Sequence, residues 1–87
     1  MITAINMIQV YHMVYEIGES RVSYKLEEMM NDGTNNCINR IPHYFTIGLI
    51  LNGSFRPCIR IDTSVFSTIE DMMAFIKDMM IKHKITK

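Results

Sequence analysis

Alternation governs the first third of the chain. In "QVYHMVYEI" (residues 9–17), Tyr11, Met13, Tyr15 and Ile17 face one way, and Val10, His12, Val14 and Glu16 the other. Period two with Val and Tyr enrichment predicts a strand. "GES" supplies turn residues, and "RVSYKLEEM" alternates again, with Val22, Tyr24 and Leu26 on an apolar face. Arg21, Ser23, Lys25 and Glu27 take the wet face, so the two segments read as a hairpin. "NDGTNNCIN" is the most polar stretch and reads as an irregular loop. The apolar run "YFTIGLIL", from Tyr44 to Leu51, suits a central strand. Asn52-Gly53 follows at once, and both residue types tolerate the positive φ of a two-residue hairpin turn. In the return strand "SFRPCIRID", Phe55, Pro57, Ile59 and Ile61 share one face, and Arg56, Cys58, Arg60 and Asp62 share the other. Pro57 cannot donate to a ladder, which predicts an edge strand or a bulge.

The period changes near the C-terminus. "IEDMMAFIKDMM" (69–80) is helical, opened by a capping box of Ser67 and Glu70. Glu70 and Asp71 suit the positive end of its macrodipole, and Lys82, His83 and Lys84 the negative end. The pattern therefore predicts an α+β fold: a four-stranded antiparallel sheet of two hairpins, then one C-terminal helix packed on one face. That helix has a wide apolar arc. Met72, Met73, Phe75, Ile76, Met79, Met80 and His83 span roughly 160°, whereas resting on a sheet needs roughly 100°. Met73 and Met80 are assigned to the sheet. Met72, Phe75, Met79 and His83 are left for a second helix, cheapest from an identical chain about a two-fold axis.

Composition changes this picture little. The 87 residues form one domain, 48% hydrophobic, with nine acidic and nine basic side chains. A chain of this size buries only roughly 60–65% of its unfolded surface, so an apolar content this high favours oligomerisation. Zero net charge gives no general attraction to phosphate backbones. Cys37 and Cys58 read as two reduced thiols in a cytoplasmic protein. The N-terminus lacks the basic start of a signal peptide and is broken by Asn6, Gln9 and His12, so no membrane segment is expected. A zinc set of His43, Cys37, Cys58 and Asp62 can be drawn, but its spacing matches no metal motif. A Cys37–His43 nucleophile pair lacks an orienting third group. No catalytic residue, metal or cofactor is expected.

Basic and aromatic residues do alternate on the sheet. Arg21, Lys25, Arg56 and Arg60 fall on outward strand positions, with Tyr11, Tyr15 and Tyr44 as stacking candidates for a single-stranded nucleic acid. "EIGESRVSY" (16–24) and "NGSFRPCIRIDTSVFSTI" (52–69) resemble the transcriptional coactivator family of positive cofactor four type, which binds single-stranded DNA. Ile59, Ile61 and Phe66 match the positions where that family carries two alternating aliphatics and an aromatic opening its helix. The resemblance implies four strands, a helix and a dimer. Two functions follow as expectations. The first is a small non-catalytic protein, dimeric through its C-terminal helix, that binds and modulates a host protein. The bias towards Ile, Met, Asn and Lys suggests a phage or viral accessory protein in the host cytoplasm. The second is a single-strand nucleic-acid binder.

Overall fold

Thr3 and Asn6 begin a helix where alternation predicts a strand. In the computed structural model, which describes residues 2–31 and 40–87, the Asn6 N–H donates to Thr3 Oγ1 (3.2 Å). The Thr3 N–H donates back to Asn6 Oδ1 (3.0 Å), completing a capping box. Helix α1 runs Ala4–Gly18 and buries Met7, Val10 and Val14. These positions follow a helical spacing that the strand reading of 9–17 cuts short by starting after Met7. Burying each contributes roughly 1.5–3 kcal/mol, enough to override the strand preference of Val and Tyr. A 3-10 turn, Glu19–Arg21, then delivers the chain to β1.

Among the described residues the sheet has three strands, not four: β1 (Val22–Asn31), β2 (Arg40–Leu51) and β3 (Ser54–Asp62), antiparallel in the order β1-β2-β3. Leu26, Phe45 and Ile61 align across it, as do Tyr24, Ile47 and Ile59. Strand β2 starts four residues earlier than its apolar run suggests, taking in Pro42. Glu28 adopts a φ of 52°, and the pairing of β1 with β2 skips it, passing from Glu27–Tyr44 to Met29–Pro42. Asn52 and Gly53 both have positive φ (53° and 80°), as the two-residue hairpin requires. The polar loop expected at 31–39 and the thiol of Cys37 lie, beyond Asn31, outside the described residues.

Helix α2 (Ile69–Lys82) is capped one residue later than Ser67. Thr68 Oγ1 accepts the Asp71 N–H at 3.2 Å, and Glu70 and Asp71 occupy the first turn. At its other end the Ile85 N–H reaches Met80 O (2.8 Å) and the Lys84 N–H reaches Ile81 O (3.1 Å). This is a Schellman closure around Lys84, whose φ is 58°. It turns Ile85 fully into the core. The tail is then tied to the end of α1 and the turn after it: Arg21 donates to Thr86 O (2.7 Å), and the Lys87 N–H to Ile17 O (2.9 Å).

Both helices lie on one face of the sheet. Met7, Val10 and Val14 of α1 join Met72, Ile76 and Met80 of α2, and Phe45, Ile47, Ile59 and Ile61 of the strands, in one core. The wide arc of α2 does meet a second helix, but that helix belongs to the same chain. Met72 is 0% exposed, so its assignment to a partner is corrected: it belongs to the core that α1 and the sheet share with α2. Met73, assigned to the sheet, instead borders α1 beside Gln9 and Met13.

Candidate protein-binding surface

One helix cannot bury all its apolar residues when they occupy both of its sides. Along α1, Ile5, Ile8, His12 and Tyr15 recur at helical spacing opposite Met7, Val10 and Val14. Ile5 is 71% exposed and Ile8 62%, high for β-branched residues of a helix. Tyr15, Leu26 and Met29 are exposed beside them. The surface is shaped by two hollows that share α1. One, of about 520 Å³, is lined by Ile8, Tyr11, His12, Tyr15, Glu16 and Tyr24. The other, of about 380 Å³, lies further along, where Ile5, Ile8 and Tyr11 meet Leu26, Met29 and Arg40.

Three tyrosines form the floor and wall of the larger hollow. Tyr11 stacks on Tyr24 with ring centroids 4.6 Å apart, and Tyr15 meets Tyr24 edge-on at 5.6 Å. Tyr11 also sets an edge against the core ring of Phe45 at 6.1 Å. Burial, then the neighbouring Tyr24, pushes the Tyr11 phenol up to about 12. The Tyr24 phenol is also pushed up, by burial first and Tyr15 second. Polar groups stay at the rim, where His12 Nδ1 and Glu16 Oε1 are 3.3 Å apart one helical turn along. An apolar, tyrosine-rich centre with a charged rim is the composition of protein contact surfaces.

The residues singled out from sequence are dispersed. Of the four given to a C-terminal helix interface, Met72 is buried and Met79 half-buried, whereas Phe75 (43% exposed, its ring 5.4 Å from that of Phe66) and His83 are at the surface. Of the basic set, only Lys25 and Arg60 share the uncovered sheet face, flanking Thr46 in one row. The Arg60 guanidinium lies 3.9 Å from the Tyr44 ring centroid and 3.8 Å from Glu27 Oε2. Arg21 is spent on the Thr86 carbonyl. Arg56 pairs with Leu49 because a bulge carries it past the register that would place it beside Arg60. Tyr11 and Tyr15 lie on the helical side, away from these cations.

Acidic groups offset the uncovered face. Glu27, Tyr44 and Asp62 form the row beside Lys25, Thr46 and Arg60. The Ser64 hydroxyl and N–H donate to Asp62 Oδ1 (2.6 and 2.9 Å), holding its carboxyl below the usual range. Among the described residues no three His, Cys, Asp or Glu side chains are grouped to hold a metal ion. No described helix is long and apolar enough to cross a membrane.

Sequence reasoning missed Ile5, Ile8, Leu26 and Met29 as surface residues. The signal is present as a second stripe, Ile5-Ile8-His12-Tyr15, but it is visible only once 4–18 is read with a helical period. No protein-family model, curated protein or solved structure matches the chain.

Proposed function

We propose that this chain works by binding a protein, and that the α1–β1 surface is where contact is made. The carrying observation is the unbroken exposure of Ile5, Ile8, Tyr15, Leu26 and Met29 around two hollows. Small proteins seldom leave such residues adjacent unless the patch meets a partner. The stacked tyrosines give that patch a rigid floor, which lowers the entropy lost on contact. A neutral net charge is compatible with an apolar contact, and an accessory role that modulates another protein needs no more than this. The C-terminal helix also exposes Phe75 and Ile81, but Met72, Ile76 and Met80 are used inside the chain, and neither exposed residue lines the two hollows beside α1.

A photo-activated cross-linker at Ile8, with Lys77 on α2 as the control position, tests the assignment. The expected result in a lysate of the producing cells is one discrete protein adduct from position 8 and none from position 77. Equal labelling from both positions, or none from position 8, removes the α1–β1 surface as the contact.

A further inference from the structure

We propose that a second copy of this chain docks on the α1–β1 surface by pairing β1 with β1 about a two-fold axis at Leu26. The inference rests on the protein-binding reading above and names the occupant. Strand β1 is an edge: β2 is its neighbour on one side, and no described strand pairs its other side. Its unpaired N–H and C=O groups are a template for another strand. The apolar residues beside that edge, Ile5, Ile8, Leu26 and Met29, are the ones left exposed.

Charge selects the register. Paired residues in an antiparallel ladder share a face, so a two-fold axis must pass through one residue of β1. An axis at Lys25 sets that lysine against its own copy, and an axis at Glu27 sets glutamate against glutamate. An axis at Leu26 sets Lys25 against Glu27 of the second copy, twice over, on the uncovered face. On the helical face the same axis brings Leu26 to its own copy and Tyr24 opposite Glu28. The positive φ of Glu28 bends the strand there, confining the new ladder to about five residues. So short a ladder falls well below the roughly 800 Å² per partner of a stable interface. The two α1 helices supply the remainder by closing over the axis with Ile5, Ile8 and Tyr15.

The opposite edge does not suit this pairing. Strand β3 carries Pro57, which has no N–H, and an extra unpaired residue, Cys58, between Pro57 and Ile59. Arg56 and Arg60 are also exposed along it. Edge pairing is therefore open on the β1 side and obstructed on the β3 side.

Charge reversal within one chain gives a decisive test. Lys25→Glu places two acidic pairs across the axis and Glu27→Lys places two basic pairs. Each variant, folded by circular dichroism, is expected to dimerise at least tenfold more weakly than the parent in sedimentation velocity. Mixed in equal amounts, the two variants set both acidic side chains of one chain, at positions 25 and 27, opposite both basic side chains of the other. Heterodimers are then expected by native mass spectrometry. Two monomers that stay monomeric on mixing overturn the register. Variants that dimerise like the parent place the dimer elsewhere and overturn the proposal. A parent that is monomeric at all concentrations overturns self-pairing, as does a cross-link from Ile8 to a different protein alone. In both of those cases the surface assignment is judged separately, by whether position 8 cross-links at all.

Discussion

The two edges of the sheet are built on opposite terms. Strand β3 combines a proline, a bulge and exposed arginines, each of which discourages another strand. Strand β1 has ten residues without proline, interrupted only at Glu28, and an exposed apolar helix surface runs beside it. Two open edges invite open-ended strand pairing, and two closed edges leave none to form. One open edge permits a closed pair. The asymmetry thus says more about assembly than the total apolar content does.

The largest effect is expected from disturbing the guarded edge. Gly48 lies at the β3 bulge, and a Cβ there would collide with the Arg56 carbonyl oxygen and stand 2.9 Å from the Phe55 ring. The carbonyl is backbone and cannot swing aside. Gly48→Ala is therefore expected to lower unfolding stability by about 2–3 kcal/mol, read from the urea midpoint. A loss below about 0.5 kcal/mol would mean that the bulge relaxes freely and contributes little to the shape of this edge.

The same bulge explains part of what is legible in the sequence. Pro57 announces an edge or a bulge, and both are present, because the missing donor is a local property of one residue. Asn52-Gly53 and the strand from Ser54 to Asp62 are readable for the same local reason. The helix at 69–82 is readable from its caps and charges, with its N-cap displaced from Ser67 to Thr68. Residues 9–17 are not readable from alternation, because Val10 and Val14 satisfy period two and period 3.6 equally. The capping box of Thr3 and Asn6 decides between them, and it lies outside that window. Misplacing α1 then propagates. It adds a fourth strand, removes the helix that covers Met72, and hides the outward stripe of Ile5 and Ile8. The wide arc of α2 does require a second helix, and the chain itself provides it.

A middle-sized effect is expected on the open side, where Tyr11 and Tyr24 form the floor beside β1. Tyr11 titrates at about 12 in the folded chain against an ordinary value of 10.0. Between those values the unfolded chain releases a proton that the folded chain retains, so alkali favours unfolding. Stability from this source is complete below about pH 10 and declines as the pH rises towards 12. Melting temperature measured across that window should fall more steeply for the parent than for Tyr11→Phe. Parallel curves would mean that the phenol is not held in a dry environment, and the rigid floor of the surface would go with it.

The smallest effect concerns how many guards the β3 edge needs. Pro57→Thr restores a backbone N–H and a residue that favours strands, at an exposed position. The bulge at Cys58 and the arginines at 56 and 60 are unchanged by it. Stability should shift by less than about 1 kcal/mol, because neither a buried contact nor a cap is touched. If the edge is closed by shape and charge together, the variant keeps the parent's sedimentation mass at every concentration. Growth into species larger than the parent's would show that the missing donor of Pro57 is the decisive guard. The difference between the edges would then reduce to one atom, and β1 would be open chiefly because its sequence carries no proline.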